Sequence, residues 1–206
     1  TDNLDAARAI AAHGRETGRP LRVLIEIDTG LGRAGLLPEA PELLEVAKAL
    51  APGAELIGVL AHAGHSYHCE TIKQIQRVAE DERLGALQAA ERLRAAGHPC
   101  PVVSIGSTPT AVHGEDFTGV TEIRPGNFVF FDLFQAGVRS CEVNDIAVSV
   151  LASVIGHHRK RNHVLIDAGG LALSKDTGAN EHSPGTGYGL VCLPAGKVPL
   201  PGIAVV

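Results

Sequence analysis

Short apolar runs alternate with amphipathic stretches along the first two thirds of the chain. Residues 21–28, 56–61 and 101–105 are nearly continuous in apolar or β-branched side chains and are bounded by Gly, Pro and polar residues, so each predicts a buried strand. Between them the spacing becomes helical. Thr1, Asp2 and Asn3 offer N-caps before an Ala-rich helix over 4–12 that ends near Gly14 or Gly18. Residues 41–50 predict a second helix with Leu43, Leu44, Ala47 and Leu50 on one face. A long helix spans 71–96 and stops at Gly97, a shorter one lies around Thr110, and 121–130 reads as a further strand.

Strands that are apolar on both faces and separated by helices indicate a parallel sheet covered by helices. Four such strands are too few to close a (β/α)8 barrel. Past Val138 the rhythm changes. Residues 146–155 and 163–167 are β-rich, joined by the basic turn at His157, His158, Arg159, Lys160 and Arg161, with no long helical pattern between them. The expected class is therefore α/β: part of a barrel over 1–138, then the opening of a mainly antiparallel β domain over 139–206.

Composition narrows the partners. Hydrophobic residues make up 45% and charged residues 20%, the balance of a globular chain. The net charge of -5 and the lack of a basic stripe argue against nucleic acid. No apolar run approaches the ~20 residues of a membrane span. Cys69, Cys100, Cys141 and Cys192 lie far apart with no C-x-x-C pair, which suits reduced thiols in a cytoplasmic protein. The chain has no Met, and its last residues stop inside a strand-like run. It reads as a piece of a longer protein.

Chemistry concentrates where strands end. The stretch from Pro101 to Thr110 runs through Gly106, Ser107 and Thr108, small residues with hydroxyls and backbone N–H groups suited to a phosphate. Taken alone, such a turn is more often only a turn. Three other strand ends share its character: residues 28–35, 62–67 and 124–127. In α/β folds, sites gather at the C-terminal ends of strands, and barrel phosphates often lie between the last two.

The run Ile25-Glu26-Ile27-Asp28-Thr29-Gly30-Leu31-Gly32-Arg33-Ala34-Gly35 resembles the D-T-G-x-G-R-x-G strand end of alanine racemases and other fold-type III pyridoxal 5'-phosphate (PLP) enzymes. His62-Ala63-Gly64-His65-Ser66-Tyr67, Gly106-Ser107-Thr108-Pro109-Thr110 and Arg124-Pro125-Gly126 resemble the branch holding D-threonine aldolases and D-serine dehydratases. Ile166-Asp167-Ala168-Gly169 through Asp176 resembles the start of that branch's β domain. The resemblance implies that Gly106, Ser107, Thr108, Gly126 and Asn127 hold the PLP phosphate, that His62 packs on the cofactor ring, and that Arg124 faces the pyridine nitrogen. Arg124 otherwise reads as an ion-pair residue. Arg33 is implied near the cofactor's phenolic oxygen or the substrate carboxylate, oriented by Glu26, which otherwise reads as a solvated strand residue. Tyr67 is implied on the substrate side. His65 and His68 are less defined, and His157 and His158 read as surface residues.

The implied parent is a PLP-dependent lyase on a β-hydroxy D-amino acid, cytoplasmic and homodimeric, with a divalent metal gripping the hydroxyl. The family's Schiff-base lysine and metal ligands are expected outside this stretch, so the stretch alone is expected to be inactive. Lys48 and Lys73 fall on helices covering the barrel, and Lys160, Lys175 and Lys197 follow it. The alternatives are an amino-acid racemase or a non-catalytic PLP-binding homeostasis protein.

Overall fold

Seven residues from Leu21 to Ile27 form strand β1, with Val23, Ile25 and Ile27 on one buried face. The computed structural model describes residues 1–193 and 198–206; Lys197 lies outside the described residues. Two compact units are present, Thr1–Gly126 and Asn127–Val206.

The first unit runs α1 (Leu4–Thr17), β1, α2 (Glu42–Leu50), β2 (Ala54–Ala61), α3 (Ile72–Ala95), β3 (Val102–Ile105), α4 (Thr108–His113) and β4 (Glu122–Ile123). The Asn3 side chain caps α1 by accepting from the Ala6 amide at 2.8 Å, and Gly18 ends it in the left-handed region. Thr71 and Gln74 form a capping box that starts α3. The four strands are all parallel and pair in chain order, β1-β2-β3-β4. That is how successive strands of a (β/α)8 barrel lie, so the α/β expectation holds.

The core lies between this sheet and its helices. Val23, Ile25, Ile27, Leu56, Val59, Val103 and Ile105 meet Leu43, Val46, Leu50, Ala86 and Leu93 there. Val46, rather than Leu44, completes the buried face of α2. Each large apolar side chain removed from water contributes about 1.5–3 kcal/mol. The opposite sheet face carries the polar Glu26 and Ser104.

β2 owes its face pattern to one irregularity. Val23 pairs with Leu56 but Leu24 pairs with Gly58, so Ile57 is an extra residue in the strand. Leu56, Val59 and Ala61 all reach the helix-facing core as a result.

Strand β4 is shorter than the expected run over 121–130. Only Glu122 and Ile123 pair; Pro125 lacks a donor, and Asn127–Val129 is a 3-10 turn. The second unit begins there. It holds a short helix α5 (Leu133–Gly137), an antiparallel pair β5 (Val154–His158) with β6 (His163–Ile166), and a second pair β7 (Gly189–Cys192) with β8 (Pro199–Val205). The expected β character from 146 starts at 154 instead. Upstream the backbone bonds elsewhere: the Ala147 amide donates to the Phe130 carbonyl at 2.7 Å, and Ser153 donates to Asp167 Oδ1 at 2.8 Å. The basic 3-10 turn Arg159–Arg161 joins β5 to β6 as expected. No described helix is long and apolar enough to cross a membrane.

Gly58 sits at φ +155°, and a Cβ there would lie 1.9 Å from the Val102 carbonyl oxygen. Gly58→Ala is therefore expected to lower stability by roughly 1–3 kcal/mol through backbone strain and lost β2–β3 pairing. Urea midpoints check this, and an unchanged midpoint would contradict the bulge.

Candidate functional site

The four strand ends of the first unit carry its polar side chains. After β1 the chain folds back on itself: the Asp28 amide donates to the Leu36 carbonyl and the Leu36 amide to the Glu26 carbonyl, both at 2.9 Å. Asp28 organises the loop by accepting from the amides of Gly30 at 2.9 Å and Gly32 at 3.1 Å. The Gly35 amide donates to Asp2 at 3.0 Å, and that bond holds the Asp2 carboxyl below its ordinary range. Arg33 leaves this loop with its side chain 62% exposed and Nη2 3.7 Å from Glu26 Oε1.

At the end of β2, His62 Nδ1 lies 3.0 Å from the Gly106 carbonyl oxygen. A carbonyl only accepts, so Nδ1 carries the proton of this bond. A 3-10 turn follows over Gly64–His68. Ser66 is buried in it, Tyr67 is half-buried, and His68 is exposed. His65 is half-buried against Gly30, and loss of solvent pushes its imidazole down.

At the end of β3, Ser107 caps α4 and shares a capping box with Thr110. Ser107, Thr108 and Thr110 are all buried. Gly106 precedes them at φ +132°, where a Cβ would come within 2.9 Å of the Arg124 amide nitrogen. After β4, Arg124 turns back over the sheet. Its Nη2 donates to the Ala61 carbonyl at 2.7 Å, its Nη1 donates to Ser104 Oγ, and Ser104 Oγ donates to Glu122. Arg124 thus bridges the ends of β2 and β3 from the end of β4.

Beneath these ends lies Glu82, in the middle of α3 and without exposed surface. Its Oε1 accepts from the amides of Ala63 at 2.9 Å and Gly106 at 3.0 Å, and its Oε2 accepts from the Thr110 hydroxyl at 3.0 Å. Burial pushes the Glu82 carboxyl up, against the Gly106 amide, the Thr110 hydroxyl and the Ala63 amide. With Glu82 ionised, Thr110 spends its one proton there. Ser107 Oγ then donates to Thr110 Oγ1 at 3.0 Å, and Ser66 Oγ donates to Ser107 Oγ at 2.8 Å. One carboxylate therefore sets the direction of three hydroxyls.

Of the residues singled out from the sequence, His62, Gly106, Ser107, Thr108 and Arg124 are brought together at adjoining strand ends. Gly106 differs from expectation in one respect: its amide, expected to be open to an anion, is committed to Glu82. Gly126 ends the first unit with nothing near its α-carbon on the Cβ side. Asn127 belongs to the second unit, where its Nδ2 donates to Asp132 at 2.7 Å. Glu82, Ser66 and Ser104 were given no role from the sequence. Glu82 had left a signal, because it falls in phase with the buried Ile75, Ala79, Ala86 and Leu93 of α3.

Residues 1–133 match the family model described as alanine racemase, N-terminal domain, and residues 147–203 match a putative serine dehydratase domain. The chain is 48% identical over 206 residues to the D-threo-3-hydroxyaspartate dehydratase of Delftia sp. (strain HT23), with 99% of this chain and 54% of that protein covered. The solved structure of that dehydratase superposes with a TM-score of 0.95. Dictyostelium discoideum D-serine dehydratase is 33% identical over 190 residues, 86% of this chain and 48% of that protein. An alanine racemase-like protein from Idiomarina loihiensis, 38% identical, superposes with a TM-score of 0.93 over 99% of this chain and 54% of that one. The chain spans about half the length of the relatives it matches.

The raised Glu82 carboxyl has a signed consequence. Its folded value exceeds its unfolded value, so its contribution to stability is fully present below the unfolded value and lost as pH rises through the folded one. Glu82→Gln cannot ionise. Urea midpoints between about pH 4 and 8 should show wild type losing stability relative to this variant as pH rises. Parallel curves would contradict it.

Proposed function

Because the chain belongs to the alanine racemase N-terminal domain family, matched over residues 1–133, we propose that it forms the cofactor-binding part of a PLP-dependent lyase. The substrate is a small D-amino acid with a β-hydroxyl, and the reaction is dehydration. The observation that carries this reading is the strand-end constellation: Arg124 spanning β2 and β3, His62 tied to Gly106, and Ser107 with Thr108 opening α4. Near-half identity to a D-threo-3-hydroxyaspartate dehydratase supports it.

The donor set suits a phosphorylated pyridine aldehyde. Gly106 packs against the Arg124 backbone where no Cβ would fit, Ser107 and Thr108 open α4 beside it, and two arginines supply fixed positive charge. Ser107 and Thr108, at the start of α4, and Gly126 would hold the phosphate, with Gly106 giving close approach. His62 would lie against the ring. Bound there, PLP supplies an electron sink for charge developing at Cα. The bonds of Arg124 to Ala61 and Ser104 fix the guanidinium before any ligand arrives. Arg33 offers a planar fork to an anionic oxygen or carboxylate, with Glu26 on its flank. Tyr67 would face the substrate.

Among the described residues no group of three or more His, Cys, Asp or Glu is gathered to hold a metal ion. The expected divalent metal would take its ligands from outside this stretch, and no step is assigned to it. A change from barrel to β domain near residue 138 is part of the proposal. A cytoplasmic homodimer without nucleic-acid or membrane partners completes the proposal.

The intact protein, loaded with PLP, should release ammonia and a 2-oxo acid from D-threo-3-hydroxyaspartate or D-serine. Glycine and an aldehyde from D-threonine would assign aldol cleavage instead, and activity on L isomers alone would overturn the reading. Arg33→Lys should lose about ten- to a hundred-fold in rate, ~1.5–3 kcal/mol for a bidentate charged contact, while the urea midpoint stays put. Unchanged kinetics would assign Arg33 to structure.

A further inference from the structure

We propose that Glu82 is the positioning residue of the strand-end site: it holds Gly106 so that the Gly106 carbonyl selects the Nδ1–H form of His62. This rests on the reading of His62 as a cofactor-facing residue, but its geometry stands apart from any activity.

The links are direct. Glu82 Oε1 takes the Gly106 amide at 3.0 Å, on one side of that residue's α-carbon. On the other side the Gly106 carbonyl meets His62 Nδ1 at 3.0 Å. Between the two bonds Gly106 sits at φ +132°, a conformation that L side chains rarely adopt and that free glycine would leave readily. The same oxygen of Glu82 also takes the Ala63 amide at 2.9 Å, next along the chain from His62. One carboxylate oxygen thus anchors both the residue that carries the imidazole's acceptor and the residue that follows the imidazole. The hydrogen bonds of Glu82 go to these two amides and to Thr110.

Stability alone is a poor account of this glutamate. A buried ionised carboxylate loses hydration that its hydrogen bonds only partly restore, and a neutral residue of similar shape is often at least as stable in such a place. Glutamine could accept the same two amides through its carbonyl and donate to Thr110 through its amide, reversing the hydroxyl chain. Alanine would leave both amides unpaired in the interior.

The test is ring-nitrogen 15N NMR on histidine-labelled protein at neutral pH, with His62 assigned from the spectrum of His62→Gln. Wild type and Glu82→Gln should both show a protonated Nδ1 at His62, and Glu82→Ala a mixture of tautomers. PLP affinity, followed by absorbance, should fall about ten-fold in Glu82→Ala and change little in Glu82→Gln. Should the alanine variant not fold, Glu82→Asp, too short to reach both amides, is read the same way. A wild-type His62 protonated at Nε2, or an unchanged tautomer in the folded alanine or aspartate variant, would overturn the proposal. Failure of the lyase assay with the expected tautomers would remove the catalytic reading and leave the Glu82–Gly106–His62 coupling intact.

Discussion

A carboxylate without exposed surface, accepting the amides that close two neighbouring strands, is what the polar end of the first unit depends on. Strand ends leave N–H groups without sheet partners, and in the interior each such group needs an acceptor. Glu82 is that acceptor for both β2 and β3, and through Thr110 it also anchors the first turn of α4. Those donors are already turned toward a carboxyl group of the cradle's own. An anionic ligand therefore depends on the positive side chains at the rim, Arg124 and Arg33, for attraction.

Arg124 and Glu82 work from opposite sides of the same strand ends. The arginine lies over the sheet and bonds the Ala61 carbonyl, while the glutamate comes from the helix layer and bonds the Ala63 amide. His62 sits between those two anchored residues. Its ring is positioned by backbone on both flanks and by the carbonyl of a third residue, which is how a side chain near a loop acquires the fixity of one in a core.

Much of this was legible in the sequence. The apolar runs at 21–28, 56–61 and 101–105 became β1, β2 and β3, because short β-branched runs bounded by Gly, Pro and polar residues are too short for helices and bury one face in the core. The Gly106-Ser107-Thr108 turn and the Asp28 loop were visible because Gly, Ser and Thr mark where side chains must be small or must bond backbone. Glu82 was not. In a helix of 24 residues rich in Glu, Asp and Arg, one more acid looks solvated, and only its phase sets it apart. The second unit was less legible for a different reason. Its strands pair only in twos, and Leu151 and Leu171 are largely exposed, so few residues there feel the burial that makes a pattern strict.

The extra residue in β2 gives that strand something like a reading frame. Upstream of Ile57 the odd and even positions have one assignment of faces, and downstream they have the other. Pulled straight with its length unchanged, the strand would carry Val59 and Ala61 to the polar face and turn His62 away from Gly106. Losing Ile57 outright would instead leave Leu56, Val59 and Ala61 in phase. A relative one residue shorter at this point has kept the frame, and one with a residue gained or lost elsewhere in the strand has shifted it.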